Sequence, residues 1–161
     1  MTANESYRVL CRELERISDS PSFEAFELLA GCAGLSRTQV LTGSLELSGE
    51  QVQAIDAALL RRLNGEPLQY ILGEWTFYGR PFSVGEGVLI PRADTETLVE
   101  AALSLASAME KPHIADLCAG SGCIAVTLAR ELPGASVDAF EKSEAAFFYL
   151  TRNIARHGAA V

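Results

Sequence analysis

One run of residues constrains this chain more than any other: Ile114-Ala115-Asp116-Leu117-Cys118-Ala119-Gly120-Ser121-Gly122-Cys123-Ile124-Ala125. An apolar strand ends in an acid, a loop of small residues follows, and an amphipathic helix begins, with Ile124, Val126, Leu128 and Ala129 as its apolar positions. Pro133-Gly134 ends that helix. Val137-Asp138-Ala139-Phe140 reads as a second strand closed by Glu141, and a last helix runs from Ser143 to about His157, ended by Gly158. Strand, helix, strand, helix predicts α/β architecture: a parallel sheet with a right-handed crossover.

The loop between the first strand and its helix is suited to a ligand. Gly120 and Gly122 permit positive φ and close backbone approach. Because the loop opens a helix, its N–H groups and the positive helix end face whatever lies above them. Glu141 stands about twenty positions past the last loop glycine, at the carboxyl end of the neighbouring strand. A carboxylate there can accept hydrogen bonds from the two vicinal hydroxyls of a ribose. Three readings fit the loop by itself. It can hold a nucleoside methyl donor. Gly120-Ser121-Gly122-Cys123-Ile124-Ala125 also fits the dinucleotide pattern G-x-G-x-x-G/A, which would make this an NAD(P)-dependent oxidoreductase. Or it is a tight strand-to-helix turn without a ligand.

The first third of the chain reads as helices. Tyr7, Leu10, Leu14 and Ile17 recur at three- and four-residue steps. Asp19-Ser20-Pro21-Ser22 breaks that helix and caps the next, whose apolar stripe is Phe23, Phe26, Leu29, Ala30 and Ala33, closed by Gly34. Ser36 caps a short third helix ending near Gly43, and Ser48 with Gln51 forms a capping box for a fourth, with Val52, Ile55, Leu59 and Leu63 inward. This predicts a helical bundle over residues 1–64. Residues 65–92 read as a connector: one helical turn at Leu68–Gly73, a hairpin of Glu74–Phe77 and Arg80–Val84 about Tyr78-Gly79, and a third short strand at Val88–Ile90. Residues 93–161 form the third segment, opening with a helix from Thr95 to about Met109 capped by Asp94, before the His113–Leu117 strand.

A formal charge of −8 speaks against direct nucleic-acid binding, which needs clustered Lys and Arg. Cys11, Cys32, Cys118 and Cys123 form no C-x-x-C pair and have no His at ligand spacing, so no metal site is expected. The N-terminus carries charges on a helical pattern, unlike a signal peptide, and no apolar run approaches membrane-spanning length. The expectation is a cytoplasmic protein with no membrane association.

Asp116-Leu117-Cys118-Ala119-Gly120-Ser121-Gly122 resembles the first motif of class I, Rossmann-like methyltransferases that use S-adenosylmethionine. Leu89-Ile90-Pro91-Arg92-Ala93-Asp94-Thr95-Glu96 resembles a signature of the HemK/PrmC family, which methylates a glutamine of peptide chain release factors. Gln69-Tyr70-Ile71-Leu72-Gly73-Glu74 and Phe77 resemble the connector of the same family. The resemblance implies S-adenosyl-L-methionine as cofactor, a release factor as protein partner, and a bundle that helps recognise it. It places donor-binding residues at Asp116, Cys118, Ala119, Gly120, Ser121, Gly122 and Glu141. Cys118 stands where the commonest motif has glycine, and Glu141 where aspartate is more usual. Asp116 either meets the donor's amino group through water or caps the loop. Arg92, Asp94, Thr95 and Glu96 either border the site or are structural, with Asp94 capping its helix and Arg92 paired to an acid. The family's acceptor motif, Asn-Pro-Pro-Tyr, does not occur among these residues, so no catalytic residue is assigned. The expectation is the first part of a methyltransferase sheet, inactive by itself and with one edge of His113–Leu117 open. A binding module without catalysis is the remaining alternative.

Overall fold

The computed structural model describes residues 1–161, which divide into two compact units, Met1–Leu72 and Gly73–Val161. The architecture is α/β, and no helix is long and apolar enough to cross a membrane.

The first unit holds α1 (Ala3–Leu14), α2 (Pro21–Ala33), α3 (Arg37–Thr42), α4 (Gly49–Leu63) and the short α5 (Leu68–Leu72). Three of these helices start with a reciprocal box, Thr2 with Glu5, Ser36 with Gln39 and Ser48 with Gln51. Each box satisfies two backbone donors that a helix start leaves without a partner. The Thr2–Glu5 box was legible as T-x-x-E and is an addition to the sequence reading. At α2, Ser20 makes no side-chain cap bond, and Pro21 occupies the first turn, where its missing N–H costs nothing. Leu10, Leu14, Leu28, Leu29, Val40 and Ile55 are its fully buried large side chains, with Leu35, Leu47 and Leu68 buried beside them. Ile17 lies past the end of α1 and is exposed, as is Phe23. A polar tie joins α2 to α4: Arg62 Nε and Nη2 donate to Glu24 at 2.7 and 3.0 Å, and Ser18 Oγ donates to the same carboxylate at 2.8 Å.

The second unit begins with the hairpin β1 (Glu74–Phe77) and β2 (Arg80–Ser83). Its turn residues Tyr78 and Gly79 both have positive φ, 48° and 70°, the combination of a two-residue I′ turn. Tyrosine is held in that strained region by an anchor: its N–H donates to Glu96 Oε1 at 2.8 Å. Phe77 and Phe82 meet edge to face, with centroids 6.1 Å apart, and join Val99, Cys123, Val126 and Leu128 in one core. Around that core lie α6 (Asp94–Ala106), α7 (Cys123–Glu131) and α8 (Glu144–His157). The parallel pair β3 (His113–Leu117) and β4 (Ser136–Phe140) runs in register from His113↔Ser136 to Leu117↔Phe140.

Three local expectations need correction. Val88–Ile90 is not a strand: Val88 N–H closes a turn onto Gly85 O, so the segment bends instead of extending. Asp94 does not cap α6. It is the first helical residue, Ala93 precedes it with helical φ and ψ, and no side chain caps this end. The helix also stops at Ala106. Ala108 and Met109 donate to Leu105 and Ala106, three residues back, so the last turn tightens before Pro112 forbids a helix at Lys111.

Burial pushes the Glu24 carboxyl up, but hydrogen bonds from Arg62 and Ser18 outweigh it and hold the group below the ordinary carboxylate range. A depressed folded value means stability that is present above the unfolded value and lost as pH falls through the folded one. Arg62→Met should lower the unfolding free energy by about 1.5–3 kcal/mol at neutral pH. It should also flatten the decline on acidification, as read by urea titrations across the acid range.

Candidate functional site

Because β3 and β4 are parallel and in register, the loop after Leu117 and the acid after Phe140 emerge side by side. Cys118 turns the chain with a φ of 64°, left-handed for a residue other than glycine. Ala119 N–H then donates to Phe140 O at 3.0 Å, stitching the loop to the end of β4. Gly120 and Gly122 have φ of 57° and 78°. Their surroundings differ. A Cβ on Gly120 would meet nothing within 4 Å, whereas one on Gly122 would stand 2.5 Å from Leu150 Cδ1 of α8. Gly120 therefore lies under open space, and Gly122 lets the loop press against a helix.

Glu141 grips this loop from the neighbouring strand. Its Oε2 accepts from Gly120 N–H at 2.8 Å and its Oε1 from Ser143 N–H at 2.7 Å. These backbone donors, Ser143 first, hold its carboxyl below the usual range, so it is ionised at neutral pH. Each carboxylate oxygen keeps a further lone pair for a ligand hydroxyl. Ser143 in turn caps α8 through Ala146 N–H.

Asp116 acts on the helix start. Gly122 caps α7 without a side chain, and Asp116 Oδ2 accepts from Ala125 N–H at 3.1 Å in its place. Burial raises the Asp116 carboxyl, the Glu141 charge adds to this, and the Ala125 bond opposes it. Ser121 and Ala119 are buried, while Cys118 is exposed. Burial pushes the Cys123 thiol up to about 11, so it stays neutral and packs as an apolar group. No group of three or more His, Cys, Asp or Glu side chains is placed to hold a metal ion.

Of the second motif, Glu96 braces the hairpin turn, while Arg92 and Asp94 pair with each other at the surface at 3.4 Å. One site residue escaped the sequence reading. Asn153, fully buried in α8, accepts from Ser83 N–H at 2.8 Å, donates to Ser83 O at 3.0 Å and donates to Ser121 O at 2.9 Å. The signal was present: Ala146, Leu150 and Asn153 share one buried stripe, and an amide on such a stripe must find partners.

An adenosyl methyl donor presents ribose hydroxyls, an apolar base and an amino-acid tail. The residues here suit those groups: an ionised Glu141, open space above Gly120, a helix N-terminus at Cys123, and the exposed Leu117 and Phe140 at the strand ends.

Residues 6–73 match the family model described as PrmC N-terminal domain. The likeness continues beyond them. A release factor glutamine methyltransferase of Koribacter versatilis is 39% identical over 163 residues, covering 100% of this chain and 58% of the relative. Those of Chlorobaculum tepidum and Neisseria gonorrhoeae are 43% and 46% identical, covering 89% and 90% of this chain and 51% and 53% of the relatives. The chain spans about half the length of the curated relatives it matches.

A carboxyl whose folded pKa is raised contributes stability below its unfolded value that is lost as pH rises. Ionised Asp116 is therefore a cost at neutral pH. Asp116→Asn keeps an acceptor for Ala125 N–H and should be as stable as the parent or more so. Asp116→Ala should lose about 1 kcal/mol with the cap. Urea unfolding at neutral and acid pH reads both.

Proposed function

We propose that this chain belongs to a methyltransferase that moves a methyl group from S-adenosylmethionine to the side-chain amide nitrogen of a glutamine in a peptide chain release factor, in the cytoplasm. The observation that carries the reading is the loop of residues 116–122 gripped by Glu141 across parallel strands, in a chain whose relatives are named release factor glutamine methyltransferases. In this reading residues 1–64 help recognise the release factor, residues 65–92 connect, and residues 93–161 open the catalytic sheet.

Bound S-adenosylmethionine would supply a methyl group made electrophilic by its sulfonium. The chain's own residues have binding and positioning work. Glu141 would accept from the ribose hydroxyls, and the N–H groups at the start of α7, which lack intrahelical carbonyls, would face the carboxylate of the amino-acid tail. Asp116 would hold the helix end firm, or reach the donor's amino group through water. Cys118, Ala119, Gly120, Ser121 and Gly122 would form the floor. An amide nitrogen is a weak nucleophile because its lone pair is delocalised, so the acceptor needs hydrogen bonds that align it with the methyl group. The Asn-Pro-Pro-Tyr string that would make them is not among these residues.

Calorimetric titration of the full-length protein with S-adenosylhomocysteine and with NAD separates the methyl-donor reading from the oxidoreductase. Binding of the homocysteine compound and not of NAD is expected, and the converse would overturn the proposal. In the same titration Glu141→Ala should weaken binding by roughly ten- to hundredfold, the loss of charge-assisted hydrogen bonds of about 1.5–3 kcal/mol. Glu141→Asp should retain most of the affinity. Equal affinity in all three would leave Glu141 a brace for Gly120 and Ser143 alone.

A further inference from the structure

Asn153 is fully buried in α8, and all three of its hydrogen bonds go to backbone: two to Ser83 of the hairpin and one to Ser121 of the donor loop. From this geometry we infer that Asn153 is a positioning residue for methyl-donor binding, carrying the hairpin's fixed position into the loop; this rests on the donor reading above.

The hairpin side of the tie is firm. Ser83 uses both its N–H and its carbonyl on Asn153. One helical turn on, His157 Nε2 lies 2.9 Å from Pro81 O and its ring packs on Phe82, while Arg156 meets Glu74 at 2.9 Å. α8 is thus fastened to both hairpin strands, and Asn153 extends that platform to Ser121. The loop side is where the tie matters. Drawing the Ser121 carbonyl inward at 2.9 Å keeps a partial negative charge away from the helix start, where the N–H groups of Cys123 and Ile124 are without intrahelical carbonyls. It also holds the peptide between Gly120 and Gly122, two left-handed residues that would otherwise have wide conformational freedom. Asparagine suits the position because it offers an acceptor and two donors at once; aspartate, leucine and serine do not.

The test compares the full-length protein with Asn153→Asp and with Ile55→Ala, a core truncation on α4 in the first unit. Asn153→Asp keeps the acceptor for Ser83 N–H and loses both donors. Its affinity for S-adenosylhomocysteine should fall about tenfold or more. Amide hydrogen exchange at Gly120 and Gly122 should speed up in step. Ile55→Ala should leave both unchanged at a similar loss of melting temperature. Lowering the pH should protonate the introduced carboxyl, restore one donor and recover part of the affinity, whereas a merely destabilised fold would bind worse in acid. Should Asn153→Asp fail to fold, Asn153→Ala opens room for a water molecule to bond the carbonyls, and is read in the same way. Parental affinity and parental loop exchange in the Asn153 variants would overturn the inference. If the parent binds no S-adenosylhomocysteine, the functional proposal has failed; loop exchange unaltered by Asn153→Asp would then sink the positioning role as well.

Discussion

A loop of small residues between a strand and a helix has little side chain of its own with which to hold its shape. Something else must hold it. In this chain the hold comes from side chains on three different elements: Asp116 at the end of β3, Glu141 after β4 and Asn153 within α8. Two backbone bonds add to these: Ala119 N–H to Phe140 O along the sheet, and Gly122 N–H to Ala119 O within the loop. A single such hydrogen bond contributes about 0.5–1.5 kcal/mol net, yet a buried group left without its partner costs about 1–3 kcal/mol. The arrangement is therefore stiffer against loss than its individual bonds suggest. Each tether is anchored in a regular element, so the loop inherits their rigidity.

The hairpin gains meaning from the same constraint. Considered alone, a two-stranded ribbon is marginal in water. Here Phe77 and Phe82 enter the core that Val126 and Leu128 of α7 share, Glu96 of α6 fixes its turn, and α8 fastens its second strand. Packing, turn anchoring and loop support converge on eight strand residues, Glu74–Phe77 and Arg80–Ser83.

What could be read from sequence alone was whatever rested on local rules. Helix starts at Ser36 and Ser48, the Tyr78-Gly79 turn and the order of β3, α7, β4 and α8 all follow from neighbours in the chain. So did the juxtaposition of the glycine loop and Glu141, because register fixes where adjacent parallel strands end. The errors share the opposite cause. Val88–Ile90 is apolar enough for a strand, but a strand is defined by a partner, and this segment turns instead. Asp94 has the right side chain for a cap, but the backbone at Ala93 is already helical. Glu96 and Asn153 act across 18 and as many as 70 positions, distances that no motif spans. Asn153 was still detectable in principle, as the polar member of an otherwise apolar stripe.

The segment after the hairpin lies flush on α8. A Cβ at Gly85 would fall 2.1 Å from the Tyr149 hydroxyl oxygen, and one at Gly87 would fall 2.6 Å from the Ala145 Cβ. Gly87 thus has no thickness to spare, because the Ala145 Cβ is fixed to the α8 backbone, whereas the Tyr149 ring can swing away from Gly85. A side chain at Gly87 would act as a wedge, and its thrust would fall on the helix that carries Asn153. Sequence drift in an exposed-looking bend would then be felt at the loop floor without touching a single loop residue. Gly87 is a spacer of zero width between this bend and α8.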